Sequence, residues 1–412
     1  ARDRVGGRIH TCRFSSIPVP IELGAEFIHG EPRETMEIVE AAGLAVYEVA
    51  DSHWLMRGGV LGQAEAFGPE LERVFRRMSP ASADRSFRQF IDELSKSEET
   101  QEAASLALAY VEGFHAANPE RISVQSLTRD GQTPESKRQF RILSGYDRVL
   151  EWICAGLEPQ RSAIHLNTVV RRIEWEPGRV KAAAHSQLDY ELEPFVARRA
   201  IITLPLGVLK APADAPGGVR FLPDLKDKRE AAARLEMGQV VKVVLCFRER
   251  FWEEGLRVKQ SDGRLSPMVF LHSPGDDLPT WWTFHPARAP VLTGWAGWPK
   301  AEELPLRGER FVIETALDTV ARLFGVGRGA VEEQLQSWHM HDWQADPFSR
   351  GAYSYVPVGG LDAQKLLAQP VADTLFFAGE ATHYEGENGT VAGAIASGKR
   401  AAAEVIESLK GE

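Results

Sequence analysis

Hydrophobic and polar residues recur with both helical and strand spacing along the chain, and this mixture predicts an α/β fold with α+β character. Residues 19–30 predict a strand that ends in a glycine turn, and residues 32–43 predict a helix bounded by Pro32 and Gly43. From about Phe67 to Ala117 the apolar residues lie three and four apart, which predicts helices.

Strand patterns return in the second half of the chain. Residues 162–184 predict a hairpin, residues 199–209 a strand, and residues 238–300 a strand-rich region. From Asp373 onward the pattern is strand, turn and helix. No low-complexity linker separates consecutive domains, so the sequence predicts two interleaved domains between which the chain crosses more than once.

One polar residue interrupts the apolar run "GQVVKVVLCF" (238–247), which otherwise predicts a buried strand. An unpaired ammonium in a core costs several kcal/mol, or it loses its proton. Lys242 therefore has a specific role, or its strand lies at a sheet edge where the side chain reaches water. The tryptophan-rich stretches 279–286 and 292–299 are interpreted as core packing.

Composition narrows the classes of partner. The 412 residues include 58 acidic and 48 basic side chains, a net charge of −10. This excess disfavours nucleic acid and anionic membranes as partners and suits cationic substrates. Three distant cysteines fit neither a disulfide framework nor a metal site, and His339 and His341 show no acidic partner in the sequence. We expect a soluble protein without a metal, and a cytoplasmic location is favoured.

The two ends of the chain carry a signal for an anionic cofactor. The stretch "ARDRVGGR" (1–8) combines arginines, which bind phosphate, with glycines that let backbone N–H groups approach it. The segment 374–406 predicts a strand, a turn and a helix beginning near Thr390, and a helix N-terminus attracts anions. Glu380 beside that turn can accept a hydrogen bond from a sugar hydroxyl or cap the helix.

Eight stretches in order resemble the flavin-containing amine oxidases, which comprise monoamine oxidases, polyamine oxidases and flavin-type lysine-specific histone demethylases. They are "ARDRVGGR", "ELGAEFIHG", "LSGYDRV", "LNTVV", "ITLPLGVLK", "GQVVKVVLCFRERFW", "WQADPFSRGAYSYV" and "FFAGEATH". The resemblance implies a Rossmann-like FAD-binding domain (1–50, 139–238 and 362–412) interleaved with a substrate domain of mixed sheet flanked by helices (51–138 and 239–361).

One part of the family pattern is not in this sequence. The family's Gly-x-Gly-x-x-Gly unit precedes the stretch that matches residues 1–8. The expectation is that this unit was removed from the sequence or that another chain supplies it. If neither holds, the chain is expected to bind flavin poorly and to be non-catalytic.

The resemblance also implies roles in cofactor binding. Arg2 and Arg8 would contact the adenosine and pyrophosphate, Gly6 and Gly7 would allow close approach, and Val170 would contact the adenine through its backbone.

Further along the cofactor, the resemblance places residues beside the flavin itself. Those that would line it or pack on it are Gly24, Ala25, Glu26, Phe27 and Trp343.

The C-terminal part of the chain would complete the cofactor site. Glu380 would bind the ribityl or ribose chain, and Thr390 and Val391 would face the pyrimidine end of the flavin. Ala352 stands where monoamine oxidases have the cysteine that bonds to flavin, so the expected FAD is non-covalent.

Three residues would serve the reaction. The resemblance implies that Lys242 holds a water beside flavin N5, with burial favouring its neutral form. Tyr353 would form an aromatic wall that guides an amine, and His29 would lie near the substrate amine. Because Thr390 is not aromatic, a second wall is missing and the site is expected to be open.

The resemblance implies FAD-dependent oxidation of a polyamine or another primary or secondary amine to an imine. Dioxygen becomes hydrogen peroxide, and the imine is hydrolysed to an aldehyde plus amine or ammonia. An L-amino acid oxidase, another oxidoreductase on the same scaffold, and an incomplete, non-catalytic chain stay open as alternatives. A full demethylase is disfavoured because no long helical insertion is visible.

Overall fold

The computed structural model describes residues 1–64, 67–79, 82–129, 138–188, 190–255 and 267–410. Residues 256–266 of the predicted strand-rich region lie outside the described residues, as do residues 130–137 beside the predicted domain boundary at 138–139. Within the described part, no helix is long and apolar enough to cross a membrane.

Helices and strands alternate along most of the chain. In chain order, the α-helices are α1 (Arg33–Ala41), α2 (Phe67–Phe75), α3 (Phe87–Leu94), α4 (Glu98–Phe114), α5 (Val124–Arg129), α6 (Asp147–Ala155), α7 (Leu206–Leu209), α8 (Lys226–Ala233), α9 (Trp252–Gly255), α10 (Lys300–Glu303), α11 (Glu309–Phe324), α12 (Arg328–Gln334), α13 (Ala363–Ala368) and α14 (Val391–Lys410). The strands are β1 (Thr11–Cys12), β2 (Ile21–Glu22), β3 (Ile28–His29), β4 (Val46–Val49), β5 (His53–Arg57), β6 (Val60–Gln63), β7 (Gln139–Ile142), β8 (Thr168–Glu176), β9 (Arg179–Ser186), β10 (Phe195–Ala197), β11 (Ala200–Ile202), β12 (Arg220–Leu222), β13 (Glu236–Gly238), β14 (Val241–Phe247), β15 (Phe270–His272), β16 (Thr280–Thr283), β17 (Val291–Ala296), β18 (Leu335–Met340), β19 (Tyr353–Tyr355) and β20 (Leu375–Phe377). Short 3₁₀ helices span Leu304–Arg307 and Glu380–Thr382.

A seven-stranded sheet with the order β18-β14-β17-β16-β15-β5-β6 holds the run that contains Lys242. All seven residues of β14 are buried because both faces of the sheet are covered. Val243 and Leu245 pack on the face that carries helix α11, whereas Val244 and Cys246 face Ile21 and its neighbours. Side chains alternate along a strand, so Lys242 lies on the second face. The edge-strand explanation for Lys242 is wrong, because β17 and β18 flank β14.

The remaining sheets are small and of mixed orientation. They have the orders β10-β9-β8-β12, β3-β7-β4, β1-β2, β13-β19 and β11-β20, and the last of these pairs is parallel. The predicted hairpin is confirmed by strands β8 and β9. The predicted strand at 199–209 is only partly right, because it ends at Ile202 and Pro205 precedes helix α7. The predicted mixed α/β fold is confirmed.

Helices α2 to α5 pack together as a helical layer around a common core that includes Leu71, Phe87 and Ala107. Helix α3 begins with a capping box in which the side chains of Ser86 and Gln89 satisfy each other's backbone N–H groups. The C-terminal half of α4 also lines the candidate site.

The C-terminal strand, turn and helix are confirmed as β20, a 3₁₀ turn and α14. The Thr390 hydroxyl accepts a hydrogen bond from the Gly393 N–H (2.9 Å) and thereby caps α14. A Cβ on Gly393 would lie 2.0 Å from the Glu387 carbonyl oxygen, so this turn of the helix requires glycine. The start of α14 is therefore fixed against the loop that precedes it.

Candidate active site

A cavity of about 1030 Å³ lies where the two ends of the chain meet the seven-stranded sheet and the end of α4. This volume is at the upper end of the range for small-molecule sites, so the cavity has room for a large cofactor and a substrate. The predicted site residues that line it are Arg2, Gly6, Gly7, Arg8, Gly24, Ala25, Glu26, Phe27, His29, Lys242, Trp343, Tyr353, Glu380, Thr390 and Val391. Val170 lies in β8 and packs with a separate hydrophobic cluster.

Lys242 is held by a buried ion pair. Its Nζ donates to Glu26 Oε2 (2.7 Å) and to the Gly24 carbonyl (3.1 Å). On its other oxygen, Glu26 accepts hydrogen bonds from Arg141 Nε (2.8 Å) and Trp282 Nε1 (3.0 Å). Two cations thus share one carboxylate in a place without bulk water.

The charge balance of this cluster follows from the pKa of Glu26. Burial alone would raise the pKa of the Glu26 carboxyl, but the charges of Lys242 and Arg141 outweigh burial and lower it. Glu26 is therefore ionised, and the cluster of Lys242, Arg141 and Glu26 carries one positive charge in excess. The nearby Glu22 has its pKa raised by burial to about 7, despite hydrogen bonds from Tyr146 N and Thr11 Oγ1.

Tyr353 is fixed in the wall of the cavity. Its hydroxyl donates to the Phe114 carbonyl at the end of α4 (2.7 Å), and its backbone pairs with Gly238. Burial raises the pKa of Tyr353, so the phenol stays neutral. A Tyr353 ring anchored at both ends presents a rigid aromatic face to the cavity.

Arg8 and Glu380 connect the N-terminal and C-terminal parts of the site. Arg8 Nη1 donates to Glu380 Oε1 (2.8 Å) and to the Ala352 carbonyl (2.8 Å). Glu380 Oε2 also accepts bonds from Ser354 Oγ (2.6 Å) and Gly389 N (2.9 Å). Glu380 therefore holds the 353–355 strand and the approach to α14 together beside the cavity.

Arg2 occupies a second ion pair at the edge of the cavity. It bonds to Asp346 and, through Nη2, to Ser349 Oγ (2.8 Å). Asp346 also accepts a hydrogen bond from His341 Nε2 (2.7 Å). This contact corrects the expectation that His341 lacks an acidic partner. Trp343 is buried and donates Nε1 to the Leu23 carbonyl (2.9 Å), which fixes its ring under the segment that carries Gly24.

His29 lies at the end of β3 and lines the same cavity. Its ring is 5.3 Å from that of Phe114 and 6.1 Å from that of Phe27, measured between centroids. His29 therefore lies among aromatic rings, between Phe27 and the end of α4.

The residues present fit a flavin with its phosphate groups. A Cβ on Gly24 would lie 1.9 Å from the Arg8 carbonyl oxygen, so the two segments form a close-packed cradle. Arg4, whose guanidinium donates to the Ile9 and Gly7 carbonyls, supplies positive charge at one part of the lining, where Arg2 and Arg8 are paired with Asp346 and Glu380. The capped start of α14 supplies a helix N-terminus at another part, and both features attract anionic groups.

Several lining or supporting residues were missed by sequence reasoning. Arg141 lies within strand β7, and the sequence pattern there gave no indication of a functional role. Trp282 and Trp295 line the cavity, so the core-packing interpretation of their stretches is only partly right; the adjacent Trp281 is in the core. Glu112, in the last turn of α4, also lines the cavity. Burial raises the pKa of the Glu112 carboxyl to about 7, although the charge of Arg88 opposes this shift.

A pair of histidines forms another part of the lining. His53 Nδ1 and His272 Nε2 are 2.9 Å apart, and His53 Nε2 contacts Asp51 Oδ1 (2.7 Å). Burial lowers the pKa of His272 well below its ordinary value, so its ring is neutral. Among the described residues, no group of three or more His, Cys, Asp or Glu side chains could hold a metal ion.

Comparison with known sequences finds one family along the chain. The model of a family described as "Flavin containing amine oxidoreductase" matches residues 1–406. Polyamine oxidase 2 of Arabidopsis thaliana is 27% identical over 98% of this chain and 81% of its own length. Lysine-specific histone demethylase 1 homolog 3 of the same plant is 31% identical over 65% of this chain. Histone demethylase-like protein A of Aspergillus fumigatus is 27% identical over 100% of it. The chain spans only 16% and 36% of the length of these two relatives.

Solved structures share the fold. A putrescine oxidase bound to putrescine superposes with a TM-score of 0.78 at 19% identity, covering 99% of this chain and 92% of that one. Cyclohexylamine oxidase from Brevibacterium oxydans IH-35A gives a TM-score of 0.78 at 20% identity, covering 100% and 93%.

Proposed function

The chain belongs to the flavin-containing amine oxidoreductase family, and from this premise we propose that it oxidises a primary or secondary amine, preferably a polyamine, with a non-covalently bound FAD. The observation that carries the proposal is that Arg8, Glu380, Lys242 and Tyr353, from distant parts of the chain, line the same cavity. Oxidation of amines by dioxygen to an imine and hydrogen peroxide, with hydrolysis of the imine, is the proposed reaction.

The protein's own residues would bind and orient the amine. The fixed ring of Tyr353 offers an aromatic face for the carbon chain and for a cationic nitrogen. The rings of Phe27, Phe114 and Trp282 make the surrounding lining apolar. Such a lining excludes water and strengthens every electrostatic interaction within it.

Lys242 would position a water or a substrate atom through its ammonium. The Glu26 carboxylate fixes the direction of Nζ, and the excess positive charge of their cluster favours negative charge that develops in the cavity. A bound flavin would supply the redox chemistry by accepting a hydride equivalent and passing electrons to dioxygen. Gly24 to Phe27, Trp343 and the start of α14 would hold its ring system.

The cofactor is proposed to be non-covalent because residue 352 is alanine. Its side chain has no thiol that could form a thioether, and its carbonyl is occupied by Arg8. Precipitating the flavin-loaded protein with acid should release intact FAD into the supernatant. Flavin that stays with the precipitate would contradict this part of the proposal.

The lining supports an amine more than an amino acid as substrate. An amino acid oxidase needs a cation to bind the substrate carboxylate. The arginines in the described lining, Arg2, Arg4 and Arg8, all lie in the N-terminal stretch assigned to the cofactor. Lys300, another lining cation, is paired with Asp277 (2.8 Å).

The test is a visible absorption spectrum of the purified protein, followed by anaerobic addition of single compounds. We expect oxidised-flavin bands that bleach with di- and polyamines. A panel of L-amino acids and a peptide carrying methylated lysine would be added separately. Bleaching by these alone would overturn the polyamine assignment, and a flavin-loaded protein that no amine bleaches would overturn the proposed activity.

A further inference from the structure

Two histidines and an aspartate outside the residues assigned to the reaction form a hydrogen-bonded line. Asp51 precedes β5, His53 begins β5, and His272 ends the neighbouring strand β15. His53 Nε2 contacts Asp51 Oδ1 (2.7 Å), and His53 Nδ1 contacts His272 Nε2 (2.9 Å). Because Asp51 and His272 contact opposite nitrogens of one imidazole ring, the three side chains do not converge on a metal ion.

This line runs from the outside of the protein to the cavity. The Asp51 side chain is 86% exposed, whereas that of His53 is 14% exposed. His53 and His272 both line the cavity. The ring of Phe67 stacks on both imidazole rings, at 4.4 Å and 4.3 Å between centroids, and holds them in place. A path of titratable groups therefore connects the cavity with bulk water.

The chemistry of the three groups fixes which atom donates in each hydrogen bond. The hydrogen bond from His53 lowers the pKa of the Asp51 carboxyl, so Asp51 is ionised and can only accept. His53 Nε2 therefore donates, and in the neutral ring Nδ1 is then the acceptor. His272 Nε2 donates to that nitrogen, which leaves Nδ1 as the basic nitrogen of the neutral His272 ring.

A row of paired residues joins His272 to the predicted reaction residues. Lys242 lies opposite Trp295 in β17, which lies opposite Thr280 in β16. Thr280 in turn lies opposite His272. Directly paired residues share one face of a sheet, and all four line the cavity. Three strand spacings of about 4.8 Å put His272 roughly 14 Å from Lys242, a distance that an extended substrate or a few water molecules can span.

The oxidation of an amine moves protons in both directions. An alkylammonium ion loses one proton before its carbon gives up a hydride. Dioxygen receives that hydride equivalent through the bound flavin and takes up one proton to become hydrogen peroxide. The whole reaction is balanced in protons, but each half changes the charge of the cavity by one. In an apolar lining an uncompensated charge is costly, so the proton needs a path.

We propose that His272, His53 and Asp51 conduct this proton between the cavity and bulk water. The inference rests on the proposed amine oxidation and adds proton-transfer residues to it. In the outward direction, His272 Nδ1 gains a proton while the Nε2 proton of His272 passes to His53 Nδ1. The Nε2 proton of His53 passes to Asp51 and on to water. The returning proton reverses these transfers and restores both tautomers before the next turnover.

The experiment follows the anaerobic bleaching of the flavin-loaded protein by a saturating diamine in a stopped-flow spectrometer. In His53→Gln the side chain can still donate and accept hydrogen bonds but cannot pass a proton on. We expect the limiting bleaching rate to fall by about 100-fold, the lower end of the range for proton transfer by a positioned side chain. Added imidazole should restore part of the rate. Asp51→Asn changes an exposed side chain and should lower the rate by a smaller factor.

His339→Gln is the matched control, because His339 is a half-buried histidine outside the described lining of the cavity. It should leave the limiting rate unchanged. Nuclear magnetic resonance of nitrogen-15-labelled histidines gives a readout apart from turnover, in the flavin-loaded protein without substrate and above the ordinary pKa of histidine. We expect neutral rings protonated at Nε2 for the two signals that are lost in His53→Gln and His272→Gln.

Equal limiting rates in the wild type and His53→Gln would overturn the inference while the proposed activity stands. The same holds for a loss of rate that imidazole does not restore, which would indicate a structural role, and for rings protonated at Nδ1. A flavin-loaded wild type that no amine bleaches would overturn the proposed activity and the inference with it.

Discussion

The buried cluster of Lys242, Arg141 and Glu26 predicts an asymmetry between two conservative substitutions. All three side chains are 2–3% exposed. Lys242→Met leaves Glu26 paired with Arg141 and Trp282, so no charge is left without a partner. Glu26→Gln instead leaves two buried cations facing a neutral amide.

The expected costs follow from this count of charges. Lys242→Met removes the hydrogen bonds from Nζ to the Glu26 carboxylate and to the Gly24 carbonyl, and it should lower the free energy of unfolding by about 1.5–3 kcal/mol. Glu26→Gln should lower it by about 3–5 kcal/mol, because two uncompensated charges remain in the interior. The double variant should be more stable than the sum of the two losses predicts, by about 1–3 kcal/mol, because only Arg141 is then unpaired.

Urea unfolding of the wild type and the three variants measures these differences as changes in midpoint at constant m-value. Loss of flavin on unfolding can be followed by absorption as a second probe. The reasoning is refuted if Lys242→Met costs as much as Glu26→Gln, or if the two losses add within about 0.5 kcal/mol. Either result would mean that Lys242 does not share the Glu26 carboxylate with Arg141.

Three further outcomes can be checked. Lys242→Met should slow turnover strongly while flavin stays bound. Lys228→Met is the control and should not slow it, because Lys228 is a buried lysine that bonds to main-chain carbonyls outside the described cavity lining. Equal turnover rates of Lys242→Met and the wild type would contradict the role of Lys242. Tyr353→Ala should raise KM for amines more than it weakens flavin binding, and an unchanged KM would exclude the aromatic wall. Burial raises the pKa of Glu22 from 4.5 to about 7, so the folded state favours the protonated carboxyl group. The free energy of unfolding should therefore fall by roughly 3 kcal/mol as the pH rises from about 4.5 through 7. Glu22→Gln should remove this part of the slope in urea titrations at several pH values; an unaltered slope would contradict it.

The sequence by itself determined the mixed α/β fold, the family and a part of the cavity lining. Spacing located helix α1, the β8–β9 hairpin and the C-terminal strand-turn-helix, because these elements depend on contacts between residues close in the chain. The motif at residues 1–8 and the start of α14 both line one cavity, as the family resemblance implied.

The tertiary structure alone decided which charges meet. Lys242 raised the question of a partner, but the partner, Glu26, lies 216 residues away, and Arg141 lies 115 residues from Glu26. Hydrophobic periodicity reports which face of an element is buried and carries no information about the distant side chain that it meets. Trp281 and Trp282 show the same limit: because neighbours on a strand point to opposite faces, one is buried in the core and the other lines the cavity.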